Sequence, residues 1–90
     1  MKLNRERLLS AIEAKATKLP FRFNHEGSGP DFYIQVDEFT FAIILYATTA
    51  RLICVSTVAY EELFDLRLAF HKLIDELKRL NVLEEEHDTH

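Results

Sequence analysis

The chain has 90 residues, of which 48% are hydrophobic and 29% are charged, and its formal net charge at pH 7 is −4. This length suits one domain and this composition is typical of a folded globule, so a multidomain, disordered or repetitive protein is excluded. The acidic balance disfavours general phosphate binding, and the single cysteine, Cys54, excludes an internal disulfide and a multi-cysteine zinc site.

The sequence favours a cytoplasmic protein. A small core without disulfides fits a reducing compartment. The charged start, Met1 to Arg7, is not followed by the apolar run of a signal peptide. The longest apolar run, residues 41–47, is far too short to span a bilayer, so we expect no membrane association.

Residues 4–18 are predicted to form an amphipathic helix. Asn4 is a suitable N-cap, because its side-chain oxygen can accept a hydrogen bond from a free N–H group of the first turn. Five apolar residues share about a third of the helical wheel: Leu8, Leu9, Ile12, Ala16 and Leu19. Pro20 then prevents the helix from continuing.

Four segments are predicted to be strands of an antiparallel meander. Residues 21–25 and 32–36 alternate between apolar and polar, which is typical of strands with one buried face. Residues 39–46 are apolar on both faces, which predicts a central strand covered on two sides. Residues 51–56 complete the sheet, and the clearest loop is residues 26–30, with two glycines and a proline.

Ser56 or Thr57 is predicted to cap a longer second helix that ends near Leu80. Its core stripe is predicted to contain Leu63, Leu66, Phe70, Leu73, Ile74, Leu77 and Leu80. The predicted fold is therefore α+β in the order α-β-β-β-β-α, with the sheet packed against both helices. Residues 1–80 form the predicted domain, and residues 81–90 are predicted to be an acidic, flexible tail because they lack the apolar content to pack.

The titratable residues give no catalytic signature. His71 and Asp75 are four residues apart on the second helix, which suits a general base or a metal pair, but no nucleophile or third ligand accompanies them. Cys54 is expected to be a buried structural thiol. His87 and His90 lie in the predicted tail. We therefore predict a protein that is not an enzyme and that binds neither a metal nor a cofactor.

A second apolar stripe lies on the long helix, away from the core stripe: Tyr60, Phe64, Leu68 and, beyond the helix end, Val82. A helix that is apolar on two sides needs cover on both. Either the first helix packs there, or the stripe binds a partner, which is a second copy or another protein. We predict that Tyr60, Phe64 and Leu68 anchor such a contact, with His71 and Asp75 at its rim.

Charge is distributed unevenly along the chain. Residues 1–22 carry six basic and two acidic side chains, whereas residues 23–90 carry five basic and thirteen acidic ones. Arg7, Lys15 and Lys18 project away from the apolar stripe of the first helix. With Glu61 they are candidate charged docking residues for an acidic partner or nucleic acid. The alternative is a solvated face, or one that neutralises the acidic remainder of the domain or of a dimer mate.

These features favour a small non-enzymatic protein–protein interaction module, which we predict to be a homodimeric regulator, inhibitor or adaptor. Phage-type inhibitors, immunity proteins and secretion chaperones include small acidic α+β proteins of this kind, a likeness of size, charge and element order and not of any motif. The alternative is a nucleic-acid-associated regulator. It would use either the basic N-terminal helix or an acidic surface that imitates a phosphate backbone.

Overall fold

The computed structural model describes residues 2–84, which form a five-stranded antiparallel sheet and two helices. The elements follow in the order β1 (Lys2–Asn4), α1 (Arg5–Glu13), β2 (Phe21–Phe23), β3 (Phe32–Val36), β4 (Phe39–Leu45), β5 (Thr49–Cys54), a 3-10 turn (Tyr60–Glu62) and α2 (Leu63–Arg79). The predicted α+β class and the predicted order of elements are confirmed, with one additional strand, β1.

The strands β2 to β5 are consecutive in the sheet, as in a meander, and β1 extends the edge next to β5. Leu3 pairs with Ala50 and Asn4 pairs with Thr49. This register turns Leu3 into the core, where it is fully buried. β5 therefore begins two residues before its predicted start, because β1 supplies the partner for these residues.

The chain after α2 returns to the same sheet edge. The Asn4 amide donates a hydrogen bond to the Val82 carbonyl at 2.7 Å, and Leu83 forms an isolated antiparallel bridge with β1. Val82 is fully buried in the core, so its predicted place on a partner-facing stripe is wrong. The fold thus continues past the predicted boundary at residue 80, whereas residues 85–90 of the predicted tail lie outside the described residues.

Both helices pack on the same face of the sheet. Leu8 of α1 and Leu73 and Leu77 of α2 share one core with alternate side chains of the two central strands: Phe32, Ile34, Val36, Phe39, Phe41 and Ile43. None of these nine side chains is more than 3% exposed. Their removal from water is the main force that holds the helices on the sheet.

The opposite face of the sheet carries neither helix. It presents Ala42 and Ile44 of β4, with Tyr33 of β3 and Ile53 of β5 on either side. Ala42 is fully buried by its neighbours, whereas Tyr33, Ile44 and Ile53 are partly exposed and do not belong to the core. The prediction that the central strand is covered on two sides is therefore wrong for residues 2–84. We call Tyr33, Ile44 and Ile53 the open face.

Helix α1 starts as predicted and ends early. The Asn4 side-chain oxygen accepts a hydrogen bond from the Arg7 amide at 2.9 Å, which confirms the predicted N-cap. The helix ends at Glu13 and not at residue 18. Lys15, with φ 54°, adopts the left-handed conformation that closes a helix in a Schellman motif.

Helix α2 starts later than predicted. The Ser56 hydroxyl accepts a hydrogen bond from the Thr40 amide at 2.7 Å, so it extends the pairing of the sheet, and the predicted cap at Ser56 or Thr57 is wrong. The Glu62 carboxylate instead accepts a hydrogen bond from the Ala59 amide at 3.1 Å. This contact fixes the start of the 3-10 turn that leads into α2.

Candidate functional site

Three apolar side chains project into solvent from the start of the second helical segment. Tyr60 is 86% exposed, Phe64 is 70% exposed and Leu68 is 47% exposed. Their four-residue spacing aligns them on one side of the helix, and we call them the α2 ridge. Helix α1 does not cover the ridge, because it packs against β1 and β5 with Leu8 in the core. The alternative in which the first helix packs on this stripe is therefore wrong.

The α2 ridge points away from the sheet. Phe64 and Leu73 are nine residues apart, about two and a half turns of α-helix, so their side chains leave opposite sides of α2. Leu73 is fully buried against the sheet. A partner can therefore approach the ridge without displacing any described part of the chain.

A groove continues the α2 ridge toward the turn between β3 and β4. Its volume is about 520 Å³, and Leu68, His71 and Asp75 contribute to its helical wall. The opposite wall is the turn, where the Asp37 carboxylate accepts a hydrogen bond from the Lys72 ammonium at 2.9 Å. The structure thus places the predicted rim residues, His71 and Asp75, beside one of the predicted anchors.

Carboxylates outnumber cations in this groove. Four acidic side chains line it, Asp37, Glu38, Asp65 and Asp75, with one basic side chain, Lys72. Among the described residues, Lys72 forms its salt bridge with Asp37, and the other three carboxylates form none. Coulomb attraction therefore favours a positively charged group at this end of the ridge.

The candidate charged docking residues do not form one surface. Glu61 is exposed in the 3-10 turn, at the start of the helical segment. Arg7, Lys15 and Lys18 are exposed near the other end of α2, a 17-residue helix about 25 Å long. Because α1 ends before Lys15, the predicted helical face that carries all three cations is not formed.

An ion pair between buried Glu76 and exposed Arg79, which sequence reasoning missed, fixes the segment after α1. Glu76 is 6% exposed and accepts hydrogen bonds from the Arg79 guanidinium at 2.7 and 2.9 Å and from the Lys18 amide. The bond from Arg79 above all holds the pKa of Glu76 below its ordinary value, although burial opposes this shift. Arg79 also donates to the Ala16 carbonyl at 2.6 Å. The three-residue spacing of Glu76 and Arg79 was the available signal.

Cys54 lies at the end of β5 and is exposed, so its expected burial is wrong. It lines an apolar groove of about 230 Å³ between β5 and the start of α2, with Leu63 and Phe70 on the helical side. Leu63 was predicted to be in the core stripe but borders this open groove and is 49% exposed. Among the described residues that line the groove there is no histidine to activate the thiol.

Within residues 2–84, no group of three His, Cys, Asp or Glu side chains is placed to hold a metal ion. His25 stacks on Phe23 with ring centroids 6.0 Å apart, and His87 and His90 lie outside the described residues. No helix in the described part of the chain is long and apolar enough to cross a membrane.

No protein-family model, no curated protein and no solved structure matches this chain. Any functional conclusion therefore rests on its residues and their geometry.

Proposed function

We propose that this chain is a small non-enzymatic protein–protein interaction module that forms a homodimer and acts as a regulator, inhibitor or adaptor in the cytoplasm. The exposure of the α2 ridge carries the proposal. Phe64 is 70% exposed between two other exposed apolar side chains, although the same helix has a fully buried stripe on its other side. Adjacent large apolar side chains left in water are typical of a protein-binding surface.

Phe64 has enough exposed area to anchor a contact. An aromatic side chain buries about 150–250 Å², so covering the exposed part of Phe64 contributes roughly 3–4 kcal/mol at about 25 cal/mol per Å². Tyr60 exposes an even larger fraction and carries a hydroxyl that can bond at the edge of an interface. The loss of translational and rotational freedom on association offsets part of these contributions.

The surroundings of the ridge resemble the anatomy of protein interfaces, which have an apolar centre and a polar rim. Glu61, His71 and Asp75 are exposed beside the ridge. Charged rim groups affect the rate and the specificity of association more than its affinity. The carboxylates of the adjacent groove therefore favour a partner with basic groups at matching positions.

The chemistry of the groove supports a binding role over a catalytic one. His71 lies beside Asp75, but the described residues that line the groove include no serine, threonine or cysteine that His71 could activate. The only cysteine of the chain, Cys54, is exposed, which suits a reducing compartment in which it remains a thiol.

The substitution Phe64→Asp tests the proposal. In light scattering over a concentration series, the wild-type mass is expected to rise to at least that of a dimer, whereas Phe64→Asp is expected to remain a monomer with an unchanged circular dichroism spectrum. The matched control is Phe23→Asp, because Phe23 is 63% exposed on β2, away from the ridge. A wild-type chain that is monomeric throughout contradicts the homodimer, and a dimer that Phe64→Asp does not weaken contradicts the role of the ridge.

The nucleic-acid alternative predicts a different salt dependence. Oligonucleotide binding through Arg7, Lys15 and Lys18 would weaken steeply as salt is raised, because counterions are released on binding. Burial of the ridge is much less sensitive to salt. Self-association that persists at high salt therefore supports the apolar contact over the alternative.

A further inference from the structure

We propose that the α2 ridge of one copy packs on the open face of a second copy, so that the homodimer is a head-to-tail pair. This inference rests on the proposed function, because the ridge is one of the two surfaces that meet. The receiving surface, Tyr33, Ile44 and Ile53, is the side of the sheet that neither helix covers. A sheet with apolar residues on both faces is most stable when both faces are covered.

The open face is an apolar surface about as wide as one helix. In the register of the sheet, Tyr33 lies beside Ala42, and Ala42 lies beside Ile53. Ala42 is fully buried although both helices are on the other face, so the side chains of Tyr33 and Ile53 cover it. The row spans two strand spacings, about 10 Å, which is also the diameter of a helix with its side chains.

The strongly exposed apolar side chains of residues 2–84 concentrate on the ridge, beside it and at the ends of the open face. Of the seven large apolar side chains that are strongly exposed, four lie on or beside the ridge: Tyr60, Leu63, Phe64 and Leu68. Tyr46 and Val55 lie at the ends of the open face, because their amides bond to Thr49 and Thr40 and so continue the pairing of β4 with β5. Phe23, on the edge strand β2, is the exception.

The charges of the two surfaces are complementary. Every charged residue at a strand position on the side of the open face is a cation: Lys2, Arg22 and Arg51. All three are exposed and form no salt bridge within residues 2–84. From Tyr60 to Leu68, by contrast, the ridge segment carries three carboxylates and one cation, Arg67. Opposite charges across a contact speed association and favour the correct partner.

Two acidic side chains border the open face, and both accept hydrogen bonds from within the chain. Asp31 accepts from the Leu45 amide at 2.8 Å, and Glu84 accepts from the Asn4 side-chain amide at 3.2 Å. Neither carboxylate forms a salt bridge with the three cations. Two open faces packed on each other would bring the cations of both copies together, and this repulsion favours the ridge as the occupant.

The two surfaces point in opposite directions, because α2 lies on one face of the sheet with its ridge turned outward and the open face is the other side. In a two-fold symmetric dimer, each copy would have to place both its ridge and its open face against the same neighbour. The opposite directions of the two surfaces prevent this, so the contact is heterologous. A pair of copies leaves one ridge and one open face free. The pair is therefore the first product of this contact, and at higher concentration the wild-type mass is expected to rise above that of a dimer as further copies bind the free surfaces.

A mixture of two defective variants tests this arrangement. Phe64→Asp removes the ridge and keeps the open face, whereas Ile44→Glu removes the open face and keeps the ridge. Each variant alone is expected to self-associate at least about tenfold more weakly than the wild type in sedimentation or light scattering. An equimolar mixture is expected to form a 1:1 heterodimer, in which the intact ridge of Ile44→Glu packs on the intact open face of Phe64→Asp. No larger species is expected, because the ridge and the open face that remain free in this heterodimer are the mutated ones.

Two further variants make the outcome unambiguous. Arg51→Glu changes an exposed residue that pairs with Ile44, so it disrupts the open face without altering a partly buried side chain. Like Ile44→Glu, Arg51→Glu is expected to weaken self-association. An equimolar mixture of Arg51→Glu and Phe64→Asp is expected to restore the dimer. Phe23→Asp lies outside both surfaces and is expected to self-associate as the wild type does.

Each failure has a distinct meaning. If both open-face variants self-associate normally, or if the mixtures remain monomeric, the head-to-tail arrangement is overturned and the homodimer of the proposed function stands on another contact of the ridge. If Phe64→Asp alone self-associates normally, the ridge is not the contact, and both the head-to-tail arrangement and the role of the ridge in the proposed function are overturned. If the wild type is monomeric and binds a single-stranded oligonucleotide in a salt-sensitive manner that requires Arg51, a second copy is not the occupant of the open face.

Discussion

The two halves of the second helical segment have similar apolar content and opposite environments. In the second half, Ala69, Leu73, Ile74 and Leu77 are at most 9% exposed, whereas in the first half Tyr60, Leu63, Phe64 and Leu68 are at least 47% exposed. The second half lies on the core and is tied to the segment after α1 by Glu76 and Arg79. The first half borders two open grooves. The pattern of a helix shows which residues are apolar, and the elements beside it decide which of them are buried.

The largest difference between the halves is expected for leucine truncation. Leu73→Ala leaves a cavity in the core and is expected to lower the free energy of unfolding by about 2–5 kcal/mol. Leu68→Ala, the matched control on the ridge, is expected to cost less than about 1 kcal/mol, because Leu68 is 47% exposed. Urea unfolding of both variants gives the comparison, and equal losses would contradict the assignment of the two halves.

Acid is expected to weaken the second half through Glu76. Its pKa is lowered in the folded state, so its stabilisation is present above the ordinary value of 4.5 and is lost as the pH falls through the folded-state pKa. At pH 7, Glu76→Gln is expected to cost about 1–2 kcal/mol, since it weakens partly buried hydrogen bonds to a charged group that solvent screens on the Arg79 side.

The measurement is the urea midpoint from pH 7 down to pH 3. The wild-type midpoint is expected to fall more steeply than that of Glu76→Gln below pH 4.5, the ordinary pKa of the group. Glu61→Gln makes the same change of charge at an exposed position in the first half and is expected to follow the wild type. Parallel curves for the wild type and Glu76→Gln would show that the ion pair does not stabilise the fold.

The smallest effect on folding is expected for Phe64→Ala. At concentrations too low for self-association, it is expected to change the free energy of unfolding by no more than about 0.5 kcal/mol, because the side chain makes little contact with the rest of its own copy. Any increase of the melting temperature with protein concentration is expected to disappear. A loss above about 2 kcal/mol in the dilute monomer would mean that Phe64 belongs to the core.

The apolar and polar pattern of the sequence predicts those parts of the fold that depend on residues close together in the chain. β3 matches its predicted bounds because residues 32–36 alternate strictly and one side of the strand is buried. The tight turn that follows joins Val36 to its partner Phe39: Asp37 adopts φ 53°, and aspartate tolerates the left-handed conformation better than most residues. The four-residue spacing of the ridge can be read from the sequence, whereas its exposure depends on the fold.

The missed features depend on residues far apart in the chain. β1 has three residues, too few for a recognisable alternation, and it is extended because Thr49–Arg51 lies on one side of it and Leu83 on the other. The open face was missed for a related reason. The sequence shows that β4 is apolar on both sides. It does not show that both helices pack on the same face of the sheet, or that Tyr33 and Ile53 shield Ala42 on the other face.

The bridge between β1 and Leu83 also brings the two ends of the described chain together. The Glu84 amide donates a hydrogen bond to the Lys2 carbonyl at 3.1 Å, so the first and last described residues are neighbours. A short linker between them would allow a circular permutation with new ends in the exposed loop at residues 26–29, and every strand pair would be kept. In the present order, fraying of either end removes the hydrogen-bonding partner of the other, so the two ends are expected to detach together.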